Sequence, residues 1–222
     1  MFDTQETVYI VDDDSSVRTA LKRLLSLVGL HAEAYESIDE FSKTKKEDVP
    51  SCLVLDVRLP GMGGLEFQDQ LAKEGTNIPI IFITAQGDSP MTRRAMKAGA
   101  VDFLTKPVSQ EHLLAAIRRA LDRDRLMREA QAELQAIAER LSTLTPRERE
   151  VLDHVVMGQL NKQIAADLGT VEKTVKVHRS RVMEKMGVRS LADLVRMAER
   201  LRVALGADQP VLQPTAAETP TR

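Results

Sequence analysis

CLVLDVRLPGMGG, residues 52–64, is an apolar run of strand length that halts on the carboxylate of Asp56 and passes into Pro60 and three glycines. Three other runs have the same form: VYIV (8–11) stops at Asp12 and Asp13, IPIIFI (78–83) at Thr84, and AVDFLT (100–105) at Lys106. Residues 7–107 alternate such runs with segments of helical period, punctuated by Gly, Pro or Asp, the pattern of a βα repeat. Strands are expected at 7–11, 31–35, 51–55, 79–83 and 101–104. Between them Val17, Leu21, Leu24, Leu25 and Val28 share a helical face that ends at Gly29, and Met91, Ala95 and Ala98 precede Gly99. Five strands with crossover helices predict an α/β fold, a doubly wound five-stranded parallel sheet. In such a sheet the carboxyl ends of neighbouring strands share one edge, so the four run-ending sites can meet.

The 222 residues allow about two domains. Hydrophobic content of 43% and charged content of 29% are ordinary for a globular chain, and no apolar run approaches the ~18 residues of a membrane helix. MFDTQET at the start has neither a basic segment nor an apolar signal core, so secretion is not expected. The single Cys52 excludes an intramolecular disulfide and, lying inside a strand run, reads as packing; a cytoplasmic home is expected. The net charge of −2 hides an asymmetry: residues 1–110 carry 12 basic and 17 acidic side chains, residues 145–202 carry 12 and 8. The second half is the one suited to phosphate backbones.

With no proline between Pro107 and Pro146 and no glycine between Gly99 and Gly158, one helix is expected over about 109–141. A heptad track through Leu113, Ile117, Ala120, Met127, Leu134, Ala138 and Leu141 is interrupted by Asp124 and Gln131, so a solvated, semi-rigid connector is preferred to a coiled coil. Beyond it, Thr145 to Glu148 is a capping box with Pro146 at the first helical position. Further helices are expected over 161–168, from Thr170 to Gly187, and from Ser190, where Asp193 completes a similar cap. The expected division is a domain over 1–120, a helical linker over 121–142, an all-α four-helix domain over 143–204 and a disordered tail over 205–222.

A carboxylate at a strand end is nucleophilic and rigidly placed, which makes Asp56 the expected phosphoryl acceptor. Asp12 and Asp13 would lie beside it. Three anions would repel a phosphate unless a hard divalent cation bound by oxygens, Mg2+ (or Mn2+), stood between them. Lys106 would hold phosphoryl oxygens by charge and Thr84 by hydrogen bonding. Each residue alone has an ordinary structural explanation, a helix cap for an Asp or a solvated charge for the Lys; the conjunction at four strand ends does not.

Through VDDD, LDVRLPGMGG, ITA and MKAGAVDFLTKP, residues 7–120 resemble the flavodoxin-like receiver domain of two-component response regulators. The resemblance implies Asp56 as phosphoacceptor, Asp12 and Asp13 as the acidic pair, the Arg58 backbone carbonyl as a further metal ligand, Thr84 and Phe103 as a switch pair, and a cis peptide before Pro107. Arg58 and Gln86, flanking the path of hydrolytic water, are read either as tuning phosphoryl lifetime or as solvated loop residues.

In NKQIAADLGTVEKTVKVHRSRVMEKMGV a helix, a glycine-containing turn and a second helix follow closely. At 100° per residue, Val171, Val175, Val182 and Met186 form one stripe, expected to face the core. Lys173, Lys176, Val177, Ser180, Arg181 and Glu184 lie opposite, a mostly polar surface suited to the major groove. Residues 143–202 resemble the LuxR-type DNA-binding domain through LTPREREVL, NKQIA and TVKVHRSRVMEKMGV. The resemblance implies Lys176, Val177 and Ser180 as base contacts, with Lys162, Thr174 and Arg179 as phosphate contacts. His178, near the buried stripe, reads as packing.

Together the halves resemble the FixJ/NarL class of response regulators. This implies a sensor histidine kinase, double-stranded promoter DNA, a homodimer formed on phosphorylation, RNA polymerase if the output is activation, and no membrane partner. A phosphate hydrolase of the haloacid dehalogenase type is disfavoured, because Arg58 stands where its acid-base carboxylate would be. A constitutive DNA-binding protein is disfavoured by the complete acceptor site. No enzymatic turnover is expected beyond slow self-dephosphorylation.

Overall fold

The computed structural model describes residues 6–85 and 89–204. Gln86 and the tail 205–222 lie outside the described residues. Strands β1 (Thr7–Val11), β2 (His31–Tyr35), β3 (Ser51–Asp56), β4 (Ile80–Thr84) and β5 (Asp102–Thr105) alternate with helices α1 (Ser15–Leu27), α2 (Ile38–Lys43), α3 (Gly64–Lys73), α4 (Ser89–Lys97) and α5 (Gln110–Ser142). The strands are parallel, in the order β2-β1-β3-β4-β5. This is the doubly wound sheet read from the sequence, with β4 and β5 starting one residue later than expected.

The two-residue period of the strands splits the core between the faces of the sheet. Val8, Ile10, Cys52, Val54, Ile81 and Ile83 pack with Leu21 and Leu25 of α1 and with Leu113, Ile117 and Leu121 of α5. Their neighbours Tyr9, Val11, Leu53, Leu55 and Phe82 pack on the other face with Phe41, Phe67 and Ala95 of α2, α3 and α4. Cys52 is fully buried, and burial pushes its thiol up, so it serves packing. The chain leaves β1 for β2 on one side and then crosses to β3 on the other. The crevice at the carboxyl ends of β1 and β3 is therefore the switch point where such sheets bind ligands.

Gly64 fixes how close α3 comes to that crevice. A Cβ on Gly64 would stand 2.4 Å from the Asp56 carbonyl oxygen and 3.2 Å from Leu55 and Phe82, so only glycine lets the helix start there.

The described chain forms two compact units that divide within α5, between Glu129 and Ala130. In the second, α6 (Pro146–Val156), α7 (Asn161–Asp167), α8 (Glu172–Met186) and α9 (Leu191–Ala204) pack with the end of α5 around Ile137, Leu141, Val151, Leu152, Ile164 and Val175. The expected caps are present: Thr145 accepts from Glu148 N at 3.3 Å while Glu148 accepts from Thr145 N at 2.9 Å, and Ser190 accepts from Asp193 N at 3.1 Å. Gly187 ends α8 at φ 66°.

Two expectations need correction. Val175, Val182 and Met186 are buried as expected, but Val171 is 63% exposed. It is the N-cap of α8, extended at φ −110° and ψ 152°, and the helical progression does not reach back to it. In α5, Ile137 is buried where the heptad track places Ala138, which is exposed. A straight helix drifts about 20° per heptad, so a seven-residue track loses its face over several turns. Nor is the helix solvated throughout: Asp124 is buried, and its Oδ2 accepts from Ser51 N at 2.9 Å and Arg128 Nε at 2.7 Å.

Candidate phosphoacceptor site and nucleic-acid interface

Three consecutive aspartates follow β1, and only the third is spent on the helix. Asp14 caps α1, its Oδ1 accepting from Ser16 N at 2.8 Å. Asp12, fully buried, and Asp13, exposed, are left at the strand end. One carboxylate oxygen from each of Asp12, Asp13 and Asp56 lies within 4.8 Å of the others. Lys106 joins them, with Nζ 2.7 Å from Asp12 Oδ2 and 2.5 Å from Asp56 Oδ2. Its backbone N–H donates to the Thr84 carbonyl at 2.7 Å, and the peptide to Pro107 is cis.

Burial pushes the Asp12 carboxyl above the usual carboxylate range, with Lys106 pulling the other way. Burial alone would lower Lys106, but its hydrogen bonds to Asp12 and Asp56 outweigh that and hold the ammonium above its ordinary value. When ionised, three carboxylates against one ammonium leave an excess of two negative charges on hard oxygen donors. That donor set and charge fit a divalent cation of the Mg2+ kind.

The other expected residues surround this cluster. Arg58 N donates to Asp56 Oδ1 at 2.8 Å, which orients the carboxylate. Thr84 is fully buried at the end of β4, beside the strand that carries Asp56. Phe103, half-buried in β5, packs against Phe82 with ring centroids 6.1 Å apart. Sequence reasoning missed Arg18. Its Nη1 donates to the carbonyls of Asp12 at 2.7 Å and Asp13 at 2.9 Å, pinning the strand end from α1, and no local pattern marks it.

In the second unit, Lys162, Lys173, Lys176, Val177, Ser180 and Arg181 are exposed, and Thr174 and Arg179 are half-buried. Lys173, Lys176 and Arg181 give the outer face of α8 its positive charge, and Val177 is an apolar side chain 46% exposed among them. Arg179 donates to Asn161 Oδ1 at 2.9 Å. His178 is half-buried, in keeping with a packing role.

Residues 8–118 match the response regulator receiver domain, and residues 142–198 match the bacterial regulatory proteins of the luxR family. A relative more than half identical spans nearly the whole chain: Nodulation protein W of Bradyrhizobium diazoefficiens is 51% identical over 90% of this chain and 88% of its own. The chain belongs to the response-regulator family. Transcriptional regulatory protein FixJ of Rhizobium meliloti is 43% identical over 88% of this response regulator and 96% of its own length. The solved structure of response regulator StyR has 46% identity and a TM-score of 0.80, covering 88% of this chain and 99% of that one. The protein is a two-component response regulator with a DNA-binding LuxR-type domain, a transcriptional regulator rather than an enzyme. A receiver implies a histidine kinase as partner, and the helix-turn-helix implies DNA. Among the described residues no helix is long and apolar enough to cross a membrane.

Proposed function

We propose that Asp56 accepts a phosphoryl group from a sensor histidine kinase and that the modified receiver pairs with a second copy, bringing two α8 helices to promoter half-sites. The convergence of Lys106 on Asp12 and Asp56, with Asp13 alongside, carries this reading. An Asp56 carboxylate oxygen forms the new bond to phosphorus as the bond to the kinase histidine nitrogen breaks, and that nitrogen keeps the electron pair. Asp12, Asp13, Asp56 and the Arg58 carbonyl would hold Mg2+ (or Mn2+), which neutralises charge between carboxylates and phosphate when bound. Lys106 follows the phosphoryl oxygens, Thr84 donates its hydroxyl to one of them, and Phe103 turns with it as the switch. Arg58 borders the route of hydrolytic water and tunes phosphoryl lifetime.

The receiver spans 1–120, the connector 121–142 and the DNA-binding domain 143–204, in a cytoplasmic protein that meets RNA polymerase where it activates. Lys176, Val177 and Ser180 read bases, Lys162 and Thr174 hold phosphates, and Lys173 and Arg181 add charge to the same face. Receiver pairing raises apparent DNA affinity through effective concentration.

Incubation with labelled acetyl phosphate and Mg2+ tests the acceptor. Wild type is expected to take up label, to lose that uptake when the cation is chelated, and to show none as Asp56→Asn. Label retained by Asp56→Asn overturns the assignment.

A further inference from the structure

Helix α7 has seven residues, too few to hold its own orientation, since isolated helices are marginal below ~12–15 residues. Both its ends are instead tied by arginines from neighbouring helices. At its carboxyl end the Leu168 carbonyl accepts from Arg147 of α6. At its amino end Asn161, the first residue, offers Oδ1 to Arg179 Nη1 of α8 at 2.9 Å. The Leu160 N–H, which precedes the helix, is taken by Gln163 Oε1 at 2.8 Å, a local bond in which Arg179 takes no part.

The direction of Arg179 on α8 separates it from the groove-facing set. At about 100° per residue, with Val175 marking the core direction, Arg179 points about 40° away from it. Lys173, Lys176, Val177, Ser180 and Arg181 all lie about 100° or more away. Arg179 is half-buried where those five are exposed, and its guanidinium is held by the amide oxygen of Asn161.

We propose that Arg179 is a positioning residue: through Asn161 it sets the angle between α7 and the recognition helix α8, and so governs discrimination between DNA sequences rather than contacting phosphate. The proposal rests on α8 being the helix that reads the groove. A guanidinium fork holds its partner with more geometric constraint than an ammonium can, which suits this task.

The test uses the full-length chain, phosphorylated with acetyl phosphate, on two probes: a duplex selected by the wild-type chain from a random pool, and a scrambled duplex of the same composition. Arg179→Ala and Asn161→Ala are each expected to weaken binding to the selected duplex about tenfold, as loss of a hydrogen bond to a charged group would. Binding to the scrambled duplex and the salt slope should stay near wild type, and the double variant should be no worse than either single one. A phosphate contact behaves otherwise. If Arg179→Ala weakens both duplexes equally and cuts the salt slope by about 0.9 while Asn161→Ala changes nothing, the proposal is overturned. Thermal melting accompanies each variant. Should Arg179→Ala fail to fold, Asn161→Ala decides alone: loss on the selected duplex supports the tie, and wild-type binding overturns it. Lys176→Ala serves as the control for α8: if that variant binds the selected duplex as tightly as wild type does, the groove-reading assignment is overturned instead.

Discussion

At the scale of single residues, Glu148 shows how one side chain can close a local motif and hold a distant one. Its carboxylate completes the capping box with Thr145 and also accepts from Lys185 Nζ at 2.6 Å, 37 positions away in sequence. The Lys185 ammonium, with the Thr145 N–H next, draws its pKa down from the usual 4.5 to about 2. A carboxylate depressed on folding stabilises the native state above its unfolded pKa, and that contribution fades as pH falls through the folded one. Unfolding of the second unit is therefore expected to become easier between about pH 5 and pH 2, and Glu148→Gln to flatten this dependence, as read by denaturant titration followed by far-UV circular dichroism. An equally steep profile in Glu148→Gln would remove Glu148 as its source. The capping box was legible because its partners lie three residues apart, whereas nothing near Glu148 announces Lys185. The same difference divides the candidate acceptor site. Asp12, Asp13, Asp56, Thr84 and Lys106 each end an apolar run and could be read one run at a time. Arg18 reaches its carbonyls only after α1 has formed and turned back across the strand end.

At the scale of elements, α5 differs most from its sequence reading. The period of its apolar residues foretold a long helix but not where its anchorage to the sheet ends. Leu121 closes the apolar contact, yet charge continues it for two turns: Asp124 takes the Ser51 N–H and Arg128, Arg125 pairs with the buried Glu6, and Arg128 with Asp48. These partners stand at the amino ends of β1 and β3, opposite the carboxylate cluster of Asp12, Asp13 and Asp56. Asp124→Ala would leave the buried Ser51 N–H unsatisfied and Arg128 with one partner fewer, at a cost of about 2–4 kcal/mol to the first unit. Chemical denaturation of the full chain measures it, and a loss below about 0.5 kcal/mol would mean that the network is merely a surface arrangement. Polar anchors of this kind obey no period, which is why Asp124 read as an interruption in a heptad. Helix α8 shows the converse: three of four stripe positions were right, and the fourth failed only because the cap residue leaves the helical path.

At the scale of the whole molecule, two units with separate hydrophobic clusters share one chain. Their charges, read from composition alone, differ in sign, with acidic residues in excess over 1–110 and basic ones over 145–202. Gly64→Ala tests their energetic independence. The new methyl would press on the Asp56 carbonyl, and overpacking of this sort costs about 1–3 kcal/mol. Calorimetry should show the transition of the first unit lowered and that of the second unchanged; a common shift would mean that the two melt as one. The only thiol of the chain offers a second way to watch this. Cys52 is sealed in the first core with its proton held tightly, so a soluble alkylating reagent can reach it only when that unit opens. The rate at which the native protein consumes such a reagent would count openings of the receiver alone, because the DNA-binding half has no cysteine to report its own.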